Sequence, residues 1–128
     1  MTQAIDYAPT MLDAAGIRVP DFMQGLSLVP SMTGKQKIIP RHAVYYHFYE
    51  YYADHTVLPH LGVRGERYKL IYFYTVNEWE LYDLQTDPQE QKNLIRSAAY
   101  QKVFAQMKQE LLRVRDLYDD HEPAGELH

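Results

Sequence analysis

HLGVRGERYKLIYFYTVNEWELYDL, residues 60–84, decides the fold. Residues 61–64 and the aromatic-rich 68–74 read as two strands separated by a turn containing Gly65. Residues 79–84 form a third such run after a turn at 76–78, so the stretch reads as consecutive antiparallel strands. Along a strand, side chains alternate between faces. Tyr68, Leu70 and Tyr72 therefore share a face that can bury, and Arg67 and Lys69 share the other, which is expected to stay wet. His60 and Arg64 fall at the sheet rim, where a flat guanidinium suits a carboxylate, a sulfate or a sugar hydroxyl.

Upstream, HAVYYHFYEYY (42–52) carries no breaker and reads as a further strand, separated from residue 60 by a loop. The short connections predict a four-stranded antiparallel meander. Downstream, the Asp-Pro turn of TDPQE closes the sheet. From 97 to about 119 the apolar positions Tyr100, Val103, Phe104, Met107, Leu111, Val114 and Tyr118 step by three and four. That is an amphipathic helix whose apolar face lies across the sheet. Residues 120–128 are polar and are expected to fray. Residues 1–40 read as a helical arm: DYAPTMLDAAG (6–16) has Pro9 in its first turn, an apolar face of Ala8, Met11, Leu12 and Ala15, and a stop at Gly16, while 25–40 is punctuated by Gly and Pro. So short a helix is marginal alone and needs a partner surface. The fold class is α+β, with three segments at 1–40, 41–119 and 120–128.

Composition narrows the function. The 128 residues suffice for one core, and the 13 Lys and Arg against 17 Asp and Glu give −4, with no global basic surface for nucleic acid or anionic membrane. No apolar run is long enough for a membrane span, and MTQAIDYAPT lacks the parts of a signal peptide. Without cysteine there is no disulfide, thiolate nucleophile or thiolate-bound metal. Twelve tyrosines, nine of them between 45 and 82, suit a half-buried sheet.

Catalytic constellations are sparse. His42 and His47 are five apart on a strand and point to opposite faces, so they share no metal. His55 and His60 flank a loop but have no close third ligand. GVRG is too poor in glycine for a phosphate loop, and Ser27, Ser31 and Ser97 sit in no nucleophile elbow.

Three motifs together resemble the C-terminal portion of the type I sulfatases, the alkaline-phosphatase-like, formylglycine-dependent sulfate ester hydrolases. IDYAPTMLDAAGIRVPDFMQGLSLVP is similar to the family's aspartate-x-x-Pro-Thr-x-Leu helix and Gly-x-Ser-Leu-x-Pro connection, GVRGERYKLIYFY to its Arg-x-x-Arg-Tyr-Lys strand, and WELYDLQTDPQEQKNL to its Glu-Leu-Tyr-Asp-Leu, Asp-Pro-x-Glu and Asn-Leu run. Gly65 departs from it, where threonine is frequent. The look is nearest to bacterial sulfatases of glycosaminoglycan or N-acetylglucosamine type.

The resemblance implies a C-terminal subdomain, with 1–40 as the edge of a larger α/β catalytic domain. It implies that the subdomain walls one side of a cleft for a sulfated saccharide, with His60 foremost among contact residues, then Arg64, then His55. Arg67, Lys69 and the 83–87 region would serve structure. The family's cofactors are a formylglycine, made in a Cys/Ser-x-Pro-x-Arg motif, and a calcium or similar divalent ion. Neither the motif nor the aspartate cluster occurs in this chain, so no catalytic or metal-binding residue is assigned and turnover by the chain alone is not expected. Its partners would be the saccharide and the missing catalytic domain, or a second copy joined through the arm. A free-standing carbohydrate- or protein-binding module is the alternative. Full-length relatives are often exported, but nothing in these residues fixes a compartment.

Overall fold

The computed structural model describes residues 1–36, 41–50 and 56–128. They form two compact units, Met1–His42 and Ala43–His128.

In the first unit a 3₁₀ turn, Ala4–Asp6, leads into helix α1, Tyr7–Ala14, and a single further helical turn, α2, spans Val29–Met32. The chain between them folds back on α1 through side chains of the 6–30 motif. The Thr10 hydroxyl donates to the Asp6 carbonyl at 2.5 Å and accepts the Leu28 amide at 3.0 Å. The Ser27 hydroxyl donates to the Asp13 carboxylate. Asp6 is fully buried and accepts the amides of Gln3 and Leu26 at 2.8 and 2.9 Å and both terminal nitrogens of Arg41 at 2.6 and 2.7 Å. Gly25 permits this closeness, since a Cβ there would lie 1.9 Å from the Ile5 carbonyl oxygen. The apolar face expected on α1, with its need for a partner surface, is left largely uncovered within this unit. Pro9 is the buried residue, whereas Met11 stands in solvent with Tyr7, Ile17, Phe22 and Met32.

The second unit is an antiparallel sheet in the order β1-β2-β3-β4, made of Val44–Phe48, His60–Arg64, Tyr68–Phe73 and Glu78–Asp83. Helix α3, Gln101–Tyr118, follows a 3₁₀ turn at Ala98–Tyr100 and packs on one face. Leu61, Val63, Leu70, Tyr72 and Leu81 from the strands meet Met107, Leu111 and Val114 from α3, and Leu94 joins them. Tyr72 stacks on Trp79 with ring centroids 4.2 Å apart. All seven apolar positions expected on the helix lie in this core or against it. β1 is shorter than 42–52; it ends at Phe48, and Tyr51 and Tyr52 lie outside the described residues.

After β4 the chain returns along its outer edge. The Asn93 side chain accepts the Leu81 amide and donates to the Trp79 carbonyl, both at 3.1 Å, and the Leu94 amide donates to the Leu81 carbonyl at 2.8 Å. The tail is pinned rather than frayed. Arg115, itself 2% exposed, donates to the carbonyls of Asp120, His121 and Gly125, and the Trp79 indole donates to the His128 carbonyl. A buried guanidinium must satisfy its donors, and here backbone carbonyls do so.

Gly62 sits where the sheet leaves no room for a side chain. A Cβ on it would lie 2.5 Å from the Tyr46 hydroxyl oxygen and 2.7 Å from the Leu70 carbonyl oxygen. The tyrosine can swing away but the carbonyl belongs to the ladder, so Gly62→Ala should cost about 1–3 kcal/mol. Thermal unfolding checks this, and an unchanged midpoint would mean the strands part freely there.

Candidate functional site

Alternation along β2 sends Leu61 and Val63 into the core and His60, Gly62 and Arg64 to the opposite face. That face is not the solvated one expected from Arg67 and Lys69. It carries Tyr46 and Phe48 from β1 and Ile71 and Phe73 from β3, and Ile71 is only 7% exposed. Arg67 precedes β3 and turns back to Asp83, donating through Nε and an Nη at 2.9 and 2.7 Å, and this guanidinium holds the buried Asp83 carboxyl below the usual carboxylate range. Lys69 is paired with Glu90 at 2.5 Å.

His60 sits among rings. Phe48, directly opposite on β1, stacks on it at 5.4 Å between centroids, Phe73 lies at 5.1 Å from the β3 side, and the Tyr46 ring meets it edge-on at 5.8 Å. His60 Nδ1 lies 2.8 Å from the Leu58 carbonyl oxygen. A carbonyl only accepts, so Nδ1 carries the proton. Nε2 makes no hydrogen bond among the described residues and remains the available atom.

Arg64, at the far end of β2, is exposed and forms no ion pair or hydrogen bond among the described residues, unlike its neighbours Arg67 and Lys69. Four residues at about 3.3 Å each put its backbone roughly 13 Å from that of His60. The two share a face but would meet different parts of a ligand. His55 lies outside the described residues.

A second polar group went unnoticed in the sequence. On the α3 side of β1, His47 Nδ1 lies 2.8 Å from the Asp120 carboxylate, to which the Tyr45 hydroxyl donates at 2.7 Å and the Tyr49 hydroxyl at 3.2 Å. Burial opposes ionisation of Asp120, yet the hydrogen bonds from Tyr45, His47 and Tyr49 hold its carboxyl below the usual range. Burial, followed by the nearby carboxylate, pushes the Tyr45 hydroxyl well above the ordinary tyrosine value. The one available signal was the i, i+2 pairing of Tyr45 and His47 on a strand; Asp120 meets them only in three dimensions.

Among the described residues no group of three or more His, Cys, Asp or Glu is placed to hold a metal ion. No described helix is long and apolar enough to cross a membrane.

Comparison with known proteins matches nearly the whole chain to sulfatases. The family described as N-sulphoglucosamine sulphohydrolase, C-terminal, matches residues 1–117. The chain is 43% identical over 122 residues to an N-acetylglucosamine-6-O-sulfatase of Bacteroides thetaiotaomicron, covering 93% of this chain and 22% of that protein. It is 40% identical over 103 residues to a Δ4,5-hexuronate-2-O-sulfatase of the same organism, covering 80% of this chain and 21% of the relative. The solved structure of BT4656 in complex with its substrate D-glucosamine-2-N,6-O-disulfate superposes with a TM-score of 0.88 at 43% identity, covering 93% of this chain and 25% of that one. BT1596, a 2-O glycosaminoglycan sulfatase, gives a TM-score of 0.82 at 32% identity over 96% of this chain and 26% of its own. The chain thus spans about a quarter of the length of these relatives. On the match over 1–117 and the identity to these sulfatases, the chain belongs to the N-sulphoglucosamine sulphohydrolase C-terminal family, the C-terminal sulfatase domain.

Proposed function

We propose that this chain walls one side of a sulfatase substrate cleft and contacts a sulfated saccharide, with His60 as the first contact and Arg64 as the second. The observation that carries the reading is the His60 imidazole, fixed through Nδ1 with Nε2 free of hydrogen bonds among the described residues, on a face shared with Arg64, which forms no ion pair among them. In the neutral ring Nε2 accepts from a sugar hydroxyl or amide, and once protonated it donates to a sulfate oxygen. Arg64 suits a sulfate or carboxylate further along the chain of sugars. The relatives act on sulfated sugars, which supports the class of ligand.

The nucleophile and the metal ligands would come from a catalytic domain that packs against residues 1–40. The exposed Tyr7, Met11, Ile17 and Phe22 are the kind of apolar surface such a domain covers. The segment alone then hydrolyses no sulfate ester. The same exposed residues favour a second reading, a free-standing assembly module. The nucleotide sequence before the Met1 codon separates the two: a Cys/Ser-x-Pro-x-Arg coding stretch, in frame or one frameshift away, belongs to the first reading and its absence to the second.

The contact itself is tested in the full-length enzyme with N-acetylglucosamine 6-sulfate. His60→Ala should lower kcat/KM about 10- to 100-fold, the range of one hydrogen bond to a charged group. Arg64→Ala should lower it less. Unchanged kcat/KM in His60→Ala would refute the assignment.

A further inference from the structure

The geometry points to Phe48 and Phe73 as positioning residues that hold the plane of the His60 ring, so that Nδ1 keeps its bond to the Leu58 carbonyl and Nε2 faces the ligand. This inference rests on the saccharide reading above for its purpose, though not for its geometry. A histidine ring rotates in a broad, nearly two-fold well about χ2, and a flip exchanges nitrogen for carbon on each edge. The Leu58 carbonyl selects between the two edges, since it accepts from Nδ1–H and a flipped ring would present carbon there, but its hold depends on the plane of the ring. That plane is set on both flanks, because β1 and β3 lie on either side of β2 and each contributes a phenylalanine.

Phe48 lies nearly parallel to the imidazole, 27° between planes, and Phe73 is tilted by 41°, so a ring turned out of this plane would lose the stack with Phe48 and the bond to the Leu58 carbonyl, while a half-turn restores the plane and is opposed by that bond. The acceptor on the far side is equally fixed. Leu58 precedes Pro59, which holds the residue before it extended and has a constrained φ of its own, so the Leu58 carbonyl is aimed in advance. Pro59 is buried, and its place in the chain is therefore set by packing. Among the described residues the arrangement thus leaves Nε2 as the one ring nitrogen without a hydrogen bond. Phe48 and Phe73 lie 25 residues apart in sequence and converge only through strand register, which is why neither was a candidate from the sequence.

The test uses the whole chain with ¹⁵N-labelled histidine, read by long-range ¹H–¹⁵N correlation, with N-acetylglucosamine 6-sulfate as the probe. Wild-type His60 should show one tautomer, protonated at Nδ1, and its Nε2 signal should move as the probe is added. In Phe48→Leu/Phe73→Leu the His60 pattern should become a mixture of tautomers and the Nε2 response should fall at least threefold, while the Leu61 and Val63 amide signals stay in place. Phe48→Tyr and Phe73→Tyr keep a ring at each position and should restore both readouts. A wild-type ring protonated at Nε2 overturns the inference with no variant needed. So does a leucine pair that keeps a single tautomer and the full response, or a tyrosine pair as impaired as the leucine pair. Mixed tautomers in the leucine pair, with a wild-type Nε2 that ignores the probe, would uphold the positioning role and sink the saccharide reading.

Discussion

Arg41→Ala is expected to destabilise the first unit by about 3–5 kcal/mol, the usual cost of leaving one member of a buried ion pair behind. Asp6 is fully buried, and without the guanidinium two amide donors remain for a full negative charge. Because the second unit has its own core, exchange of the Leu26 and Leu28 amides is the informative measurement; both donate to side chains of the Asp6–Thr10 turn. Protection that survives in Arg41→Ala would show the pair to be dispensable.

The same pair sets an acid limit. The Arg41 guanidinium, with smaller help from the two amides and against the opposing effect of burial, holds the Asp6 carboxyl down to about 2 from 3.8. A carboxyl whose folded value lies below its unfolded one contributes stability that is complete above about pH 4 and is lost as pH falls toward 2. That shift corresponds to about 2 kcal/mol. Truncation should exceed it, since the carboxylate then also loses its partner at neutral pH. Wild-type Leu26 protection should therefore decline below pH 4, and in Arg41→Ala most of that decline should be gone.

Leu111→Ala is expected to cost the second unit about 2–5 kcal/mol, through lost transfer free energy and the cavity left between α3 and the sheet. Leu111 is 0% exposed within the core, whereas its neighbour Leu112 is 40% exposed. Leu112→Ala should stay within about 0.5 kcal/mol of wild type. Denaturant unfolding of the two variants makes the comparison internal to one helix. Equal losses would mean that α3 does not pack as described.

The α3 face was legible because a helix concentrates its signal in one segment: apolar residues at steps of three and four reveal the buried side without reference to anything distant. The strands were legible for the same reason, through alternation and the turn at Gly65. What failed was information held between segments. Arg67 and Lys69 suggested a wet second face, yet Arg67 turns back to Asp83, and the rings that make that face apolar come from strands whose register no single stretch contains. The tail misled by composition, since polar residues count as solvated until a buried Arg115 is found donating to their carbonyls. His60 and Arg64 could be singled out from position; the surroundings that leave Nε2 available could not.

The way Asn93 lies along β4 has a consequence for crowding. An open strand edge is a template on which a second chain can grow a sheet, and proteins that expose one risk stacking into aggregates. Here the Leu81 amide, the Leu81 carbonyl and the Trp79 carbonyl are already taken, two of them by one amide side chain. Lateral growth therefore stops at β4 without a fifth strand, and the tyrosine-rich sheet can remain dispersed on that side at concentrations where bare edges would join.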